Sequence, residues 1–220
     1  MYKYILFDLD GTLTDSAEGI TKCVQYGLKA LGIDEPDLTK LLVFVGPPLR
    51  DTAMKYYGLT QEQAELCITK YRERYEKTGM WENKAYDGIA ELLRDLKAAP
   101  SAPVLAICTG KPEVYAKPIA EKYGLAPYMT DIVGCDLAGK LDQKRLVVAN
   151  ALQRLGIGTP EQKARTVLIG DRKEDVIAAH ANNIACIGVG YGFGSYEELH
   201  AAGADIYAAT LTDLRKELFK

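Results

Sequence analysis

Two acids, Asp8 and Asp10, close a short apolar run, Tyr4-Ile5-Leu6-Phe7, near the head of the chain. The run is β-favouring and Gly11 follows it, so it reads as a buried strand with acids at its C-terminal end. Where a strand stops, its alternation relaxes, and one acid can face a ligand while the other turns beside it. Two carboxylates so close repel unless a proton or cation is shared. Three more groups follow or adjoin predicted strand ends: Thr109-Gly110, Lys144, and Gly170-Asp171 with Asp175. Each alone has an ordinary structural reading, as a capping turn, a solvated helix lysine or helix-start acids. In an open parallel sheet, however, the strand ends converge on one crevice. Such a crevice would gather carboxylates suited to Mg2+. It would also offer a hydroxyl, loop N–H groups and an ammonium suited to phosphoryl oxygens.

The elements that position these groups follow from periodicity. After the first strand, Asp15-Ser16 offers N-cap chemistry to a helix whose apolar positions are Ile20, Cys23, Val24, Gly27, Leu28 and Leu31. Residues 36–44 suggest a short helix. Gly46-Pro47-Pro48 breaks it, with Pro48 in the first turn of another helix through Tyr57, and Thr60 caps a fourth. From Ala85 the rhythm changes to strands at 104–108, 132–133, 166–169 and 184–189, alternating with amphipathic helices. Pro112 is placed to open one of these helices, and Pro118 should kink or shorten it. A short strand near Ile206 and a helix from Leu211 finish the chain. This alternation predicts a Rossmann-like α/β fold, a parallel sheet with helices on both faces. The expected domains are residues 1–15 with 84–220 as the α/β core, and residues 16–83 as an inserted all-helical cap.

Composition narrows the function classes. The chain has 220 residues, a hydrophobic fraction of 48% and net charge −3, which argues against broad nucleic-acid or anionic-membrane binding. No apolar run reaches the length of a membrane span, and no secretory signal pattern opens the chain. Cys23, Cys67, Cys108, Cys135 and Cys186 are widely spaced and sit in apolar runs. They read as buried filler in a reduced cytoplasmic protein. No cysteine is followed by arginine at the spacing of the cysteine-nucleophile phosphatases, since Val114 stands there after Cys108. A nucleoside-triphosphate loop is also missing. His180 and His200 lie in helical patterns as surface residues. The tyrosines at 56, 57, 71 and 75 read as helix packing.

Asp8-Leu9-Asp10-Gly11-Thr12-Leu13-Thr14-Asp15, Thr109-Gly110-Lys111, Lys144 and Gly170-Asp171-Arg172-Lys173-Glu174-Asp175 resemble, in order, the four motifs of the haloacid dehalogenase-like hydrolases. The helical insertion is similar to the small cap of the phosphoglycolate phosphatase-like branch. Val45-Gly46-Pro47-Pro48-Leu49-Arg50, Glu82-Asn83 and Tyr191-Gly192-Phe193-Gly194-Ser195 resemble a 5'-nucleotidase-like branch. The resemblance implies a Mg2+-dependent phosphatase acting on a small phosphorylated metabolite. By it, Asp8 is the nucleophile that forms an aspartyl-phosphate, and Asp10 is the acid and base. Asp8, the Asp10 carbonyl and Asp171 would hold Mg2+, with Asp175 supporting directly or through water. Thr109, Gly110 and Lys144 would bind the phosphoryl group, with Lys140 a rival to Lys144. Arg50, just after the Gly-Pro-Pro turn, reads either as a lid residue that reaches the leaving group or as a helix-surface arginine. The expected partner is that metabolite, with neither nucleic acid nor membrane, in a monomer or homodimer. A 5'-nucleotidase, a phosphomutase or dehalogenase of the same fold, and a non-catalytic phosphate or metal sensor are the alternatives.

Overall fold

The computed structural model describes residues 2–137 and 143–220, so Lys140, the rival to Lys144, lies outside the described residues. In chain order, β1 (Tyr4–Phe7) and β2 (Thr14–Asp15) lead into α1 (Ala17–Lys29), α2 (Leu49–Tyr57) and α3 (Gln61–Lys77), and β3 (Lys84–Ala85) leads back. Then come α4 (Ile89–Ala98), β4 (Val104–Pro112), α5 (Glu113–Lys122), β5 (Asp131–Cys135), α6 (Lys144–Arg154) and α7 (Pro160–Lys163). The chain ends with β6 (Thr166–Gly170), α8 (Lys173–Ala181), β7 (Ala185–Val189), α9 (Tyr196–Ala202), β8 (Ile206–Ala208) and α10 (Leu211–Leu218). Two compact units result: Met1–Thr14 with Ala85–Lys220, and Asp15–Lys84.

The first unit is an α/β core around a six-stranded sheet of order β5-β4-β1-β6-β7-β8, with every pairing parallel. All four β1 residues are buried, as a strand covered on both faces requires. Leu6 and its neighbours Ala106, Cys108 and Leu168 pack with Val147, Val148 and Ala151 of α6 and Val176 and Ala179 of α8. Register then sets the site. Phe7 is level with both Ile107 and Ile169, so the next residues on the three central strands are Asp8, Cys108 and Gly170. The chain runs from β1 outward to β4 and β5, then crosses to β6, so β1 lies at the point where strand order reverses, the usual place for a ligand in such sheets.

One expectation on this unit needs correction. The strand predicted to stop at Cys108 continues through Thr109, Gly110 and Lys111 to Pro112, because β5 keeps pairing with it (Pro112 beside Cys135) after a register break between Cys108 and Pro112. Such an irregularity re-aims side chains beside a site. Pro118 lies inside α5, a helix of ten residues. Cys135, at the end of edge strand β5, is only half-buried, unlike the other four cysteines; all five are free thiols.

The second unit is helical. Its first helix is capped by Asp15, whose Oδ1 accepts from Ala17 N (3.1 Å), and not by the Ser16 side chain. Thr60 caps α3 in a reciprocal box with Gln63. The short helix expected over 36–44 is a 3-10 helix, Leu38–Phe44. Tyr71 and Tyr75 stack with ring centres 5.2 Å apart in the unit's interior. Tyr56 is 54% exposed, so its ring lies largely outside the unit's interior. Among the described residues no helix is long and apolar enough to cross a membrane.

Since Leu6 is fully buried in the central strand, Leu6→Ala should cost about 2–5 kcal/mol. Urea unfolding followed by circular dichroism should show this as a lower midpoint with an unchanged slope.

Candidate active site

Asp8 extends the sheet by one bond, its N–H donating to Ile169 O (2.8 Å), and β1 ends there. The chain folds back at once: Gly11 N donates to Thr14 O (2.7 Å), and Thr14 N donates to Leu9 O (2.9 Å). Gly11 has φ of 81°, and a Cβ there would collide with the Asp171 carboxylate. The glycine therefore lets the two loops close on each other.

The acids meet as register dictates. Asp8, Asp171 and Asp175 are all buried, and each offers one oxygen within 4.8 Å of the others. Lys144 answers two of them directly, its Nζ lying 2.8 Å from Asp8 Oδ1 and 2.8 Å from Asp175 Oδ1. Asp175 Oδ2 also accepts from Arg172 N (3.1 Å), so both its oxygens are engaged in holding the loop and the lysine. Asp10 stands apart, paired through Oδ2 with Lys111 Nζ at 2.9 Å. Thr109 is buried, and its Oγ1 accepts from Lys111 N (3.2 Å).

Asp171 is the most enclosed of the acids. Thr12 Oγ1 donates to its Oδ1 (3.3 Å) and Phe193 N to its Oδ2 (2.8 Å). Tyr191 anchors that second loop by donating from its hydroxyl to Thr12 O (3.2 Å) and setting its ring edge-on to Tyr86. At Gly192 a Cβ would overlap the Asp171 side chain and Gly11 O. The Tyr191–Gly194 stretch thus holds Asp171 in place, a role the sequence reading did not assign. Its signal was the alternation of glycines at 190, 192 and 194, which marks a backbone passing close to something.

The electrostatics are unbalanced without a further cation. Burial, then the charges of Asp175 and Asp8, pushes the Asp171 carboxyl well above the usual range. Burial also raises Asp175, to about 6, against the opposing pull of Lys144. Burial works against the Lys144 ammonium, but Asp175 and Asp8 outweigh it and hold the lysine protonated above its ordinary range. Among the described residues the three carboxylates share one directly paired ammonium, and their hard oxygens form a set that fits a divalent cation. Arg50, by contrast, is in the helical unit, half-exposed and ion-paired with Glu65 of α3.

Residues 5–189 match the model of the haloacid dehalogenase-like hydrolase family. The chain belongs to that family. It is 43% identical to a 5'-nucleotidase of Pseudomonas aeruginosa over 217 residues, 99% of this chain and 96% of that one. It is 37% identical to the tyrosine-protein kinase PtkA of Mycobacterium tuberculosis, covering 97% of this chain and 72% of the kinase. Phosphoglycolate phosphatases follow at 30% identity and below. Among solved structures, a predicted phosphatase of Clostridium acetobutylicum superposes with TM-score 0.93 at 47% identity, covering 100% of this chain and 99% of that one. The chain is accordingly a phosphatase of the haloacid dehalogenase-like kind.

A pH test follows from Asp171. Its folded pKa lies above the unfolded value of about 4, so ionising it opposes folding, and stability is lost as pH rises from that value through the folded one. In metal-free protein, Asp171→Asn should therefore melt above wild type at pH 7 to 8. The difference should shrink as pH falls toward about 4. Scanning calorimetry in chelator checks this; a difference independent of pH contradicts it.

Proposed function

We propose that the protein is a Mg2+-dependent phosphomonoester hydrolase that works through a phosphorylated Asp8. The observation that carries this reading is the pairing of Asp8 with Lys144 at 2.8 Å inside a buried cluster of acids at the sheet's switch point. Lys144 holds the nucleophile in position and offsets the repulsion between its carboxylate and the phosphoryl oxygens. Thr109, Gly110 and Lys144 bind those oxygens. Asp10 gives a proton to the leaving oxygen, then takes one from the water that attacks phosphorus. Asp8, Asp171 and the Asp10 carbonyl would hold Mg2+, and Asp175, which steadies Lys144 and the Arg172 turn, would support the metal directly or through water. When bound, the metal supplies charge neutralisation that lets an anionic ester approach buried acids.

The substrate reading is a small phosphorylated metabolite, with the inserted helical unit as cap and selectivity element. Nucleoside 5'-monophosphates come ahead of phosphoglycolate, because the 5'-nucleotidase relative shares 43% identity with this chain and the phosphoglycolate phosphatase of Colwellia psychrerythraea 30%. Arg50 enters as a leaving-group contact only if it releases Glu65.

Asp8→Asn should lower turnover of p-nitrophenyl phosphate by about 10³-fold or more, with melting temperature little changed. EDTA should abolish wild-type turnover, and added Mg2+ should restore it. Full activity in Asp8→Asn refutes the nucleophile, and turnover that survives EDTA refutes the metal. Phosphate release from a panel of nucleotides and phosphoglycolate ranks the substrates.

A further inference from the structure

We propose that Lys111 is a positioning residue for Asp10: it grips one carboxylate oxygen and so aims the other at the oxygen that needs a proton. This rests on the acid–base role proposed above for Asp10. The two side chains are only 5% and 10% exposed, and Lys111 Nζ lies 2.9 Å from Asp10 Oδ2. Lysine is rarely buried unless paired, since removing an ammonium from water is costly. The other oxygen, Asp10 Oδ1, is buried and has no hydrogen-bond partner among the described residues. A buried acceptor left open costs stability unless a ligand completes it.

The backbone supports the same assignment. Lys111 is carried on the irregular part of β4, where pairing with β5 breaks between Cys108 and Pro112. Its own N–H donates to Thr109 Oγ1 at 3.2 Å. One short stretch therefore presents Thr109 and turns the ammonium toward Asp10. Without that grip the Asp10 carboxylate is free to rotate about its terminal bond, whose preferences are broad.

The chemistry states what orientation would do. Asp8 forms a bond to phosphorus as the bond from phosphorus to the leaving oxygen breaks, and the Asp10 proton passes to that oxygen. Water then bonds to phosphorus while giving a proton back to Asp10. The bond from phosphorus to Asp8 breaks, and inorganic phosphate departs. A p-nitrophenolate leaves readily without protonation, whereas an alkoxide does not. Loss of Asp10 alignment should therefore fall selectively on alkyl esters.

The test compares kcat/KM for p-nitrophenyl phosphate and glycerol phosphate in saturating Mg2+. Lys111→Met should lose about 10²-fold on the alkyl ester and less than about tenfold on the aryl ester. Asp10→Asn should show the same bias, and the double variant should be no worse than Asp10→Asn alone. Lys111→Arg should recover most of the alkyl activity. Equal losses on both esters, a change confined to KM, or additive losses in the double variant would overturn the proposal. If circular dichroism shows that Lys111→Met does not fold, Lys111→Gln carries the comparison with the same outcomes. Should Asp10→Asn leave alkyl turnover intact, the acid–base reading fails and takes this one with it. A bias in Asp10→Asn without one in the Lys111 variants rejects only the role of Lys111.

Discussion

Like charges held together out of water are the constraint on which this site depends. Asp8, Asp171 and Asp175 lie close enough for one oxygen of each to fall within 4.8 Å of the others, and all three are buried. Such a cluster opposes folding by desolvation and repulsion. The sheet imposes it anyway, because β1, β4 and β6 run parallel and in register and deliver their next residues to one edge. Lys144 relieves part of the repulsion, and hydrogen bonds from Thr12 and Phe193 hold Asp171 where it is. A hydrophobic, well-registered sheet thus holds a polar centre that would not assemble by itself.

Much of this was legible in the sequence because it is tied to strand ends. Asp8, Asp10 and Asp171 each follow an apolar β-favouring run, and period and punctuation alone suffice to find such runs. The parallel core was legible for the same reason. What escaped notice depends on partners far along the chain. The continuation of β4 through Gly110 and Pro112 runs against the strand preferences of both residues and exists because β5 pairs beyond the break. A lysine after Thr-Gly carries no local signal that it will meet an acid near the start of the chain. Of Asp15 and Ser16, both good caps, it is the Asp15 side chain that accepts from the helix, a choice that sequence alone does not settle. Arg50 followed a suggestive turn, yet its side chain found Glu65 within its own unit.

Relatives under the names of 5'-nucleotidase, phosphoglycolate phosphatase and tyrosine-protein kinase share most of this chain's length. For this chain, the proposed aspartyl-phosphate would leave the acceptor of the phosphoryl group to decide the reaction. The covalent step is the same whichever group phosphorus arrives on, and the outcome depends on which hydroxyl is admitted to receive it. Water gives a hydrolase, while an alcohol or phenol gives a transferase. In the proposed mechanism, residues at the sheet edge would set the first step, and those that admit or exclude acceptors would set the second.

The chemistry proposed for this site requires Asp8 to carry the phosphoryl group. Rapid mixing of the Mg2+-loaded enzyme with a turned-over ester, acid quenching within a single turnover and peptide mass spectrometry tests it most directly. The predicted result is one phosphoryl group on the peptide containing Asp8, appearing with the released alcohol and disappearing as inorganic phosphate forms. Alcohol and phosphate released together with no phosphoryl group on that peptide, or a phosphoryl group on another residue, would contradict it.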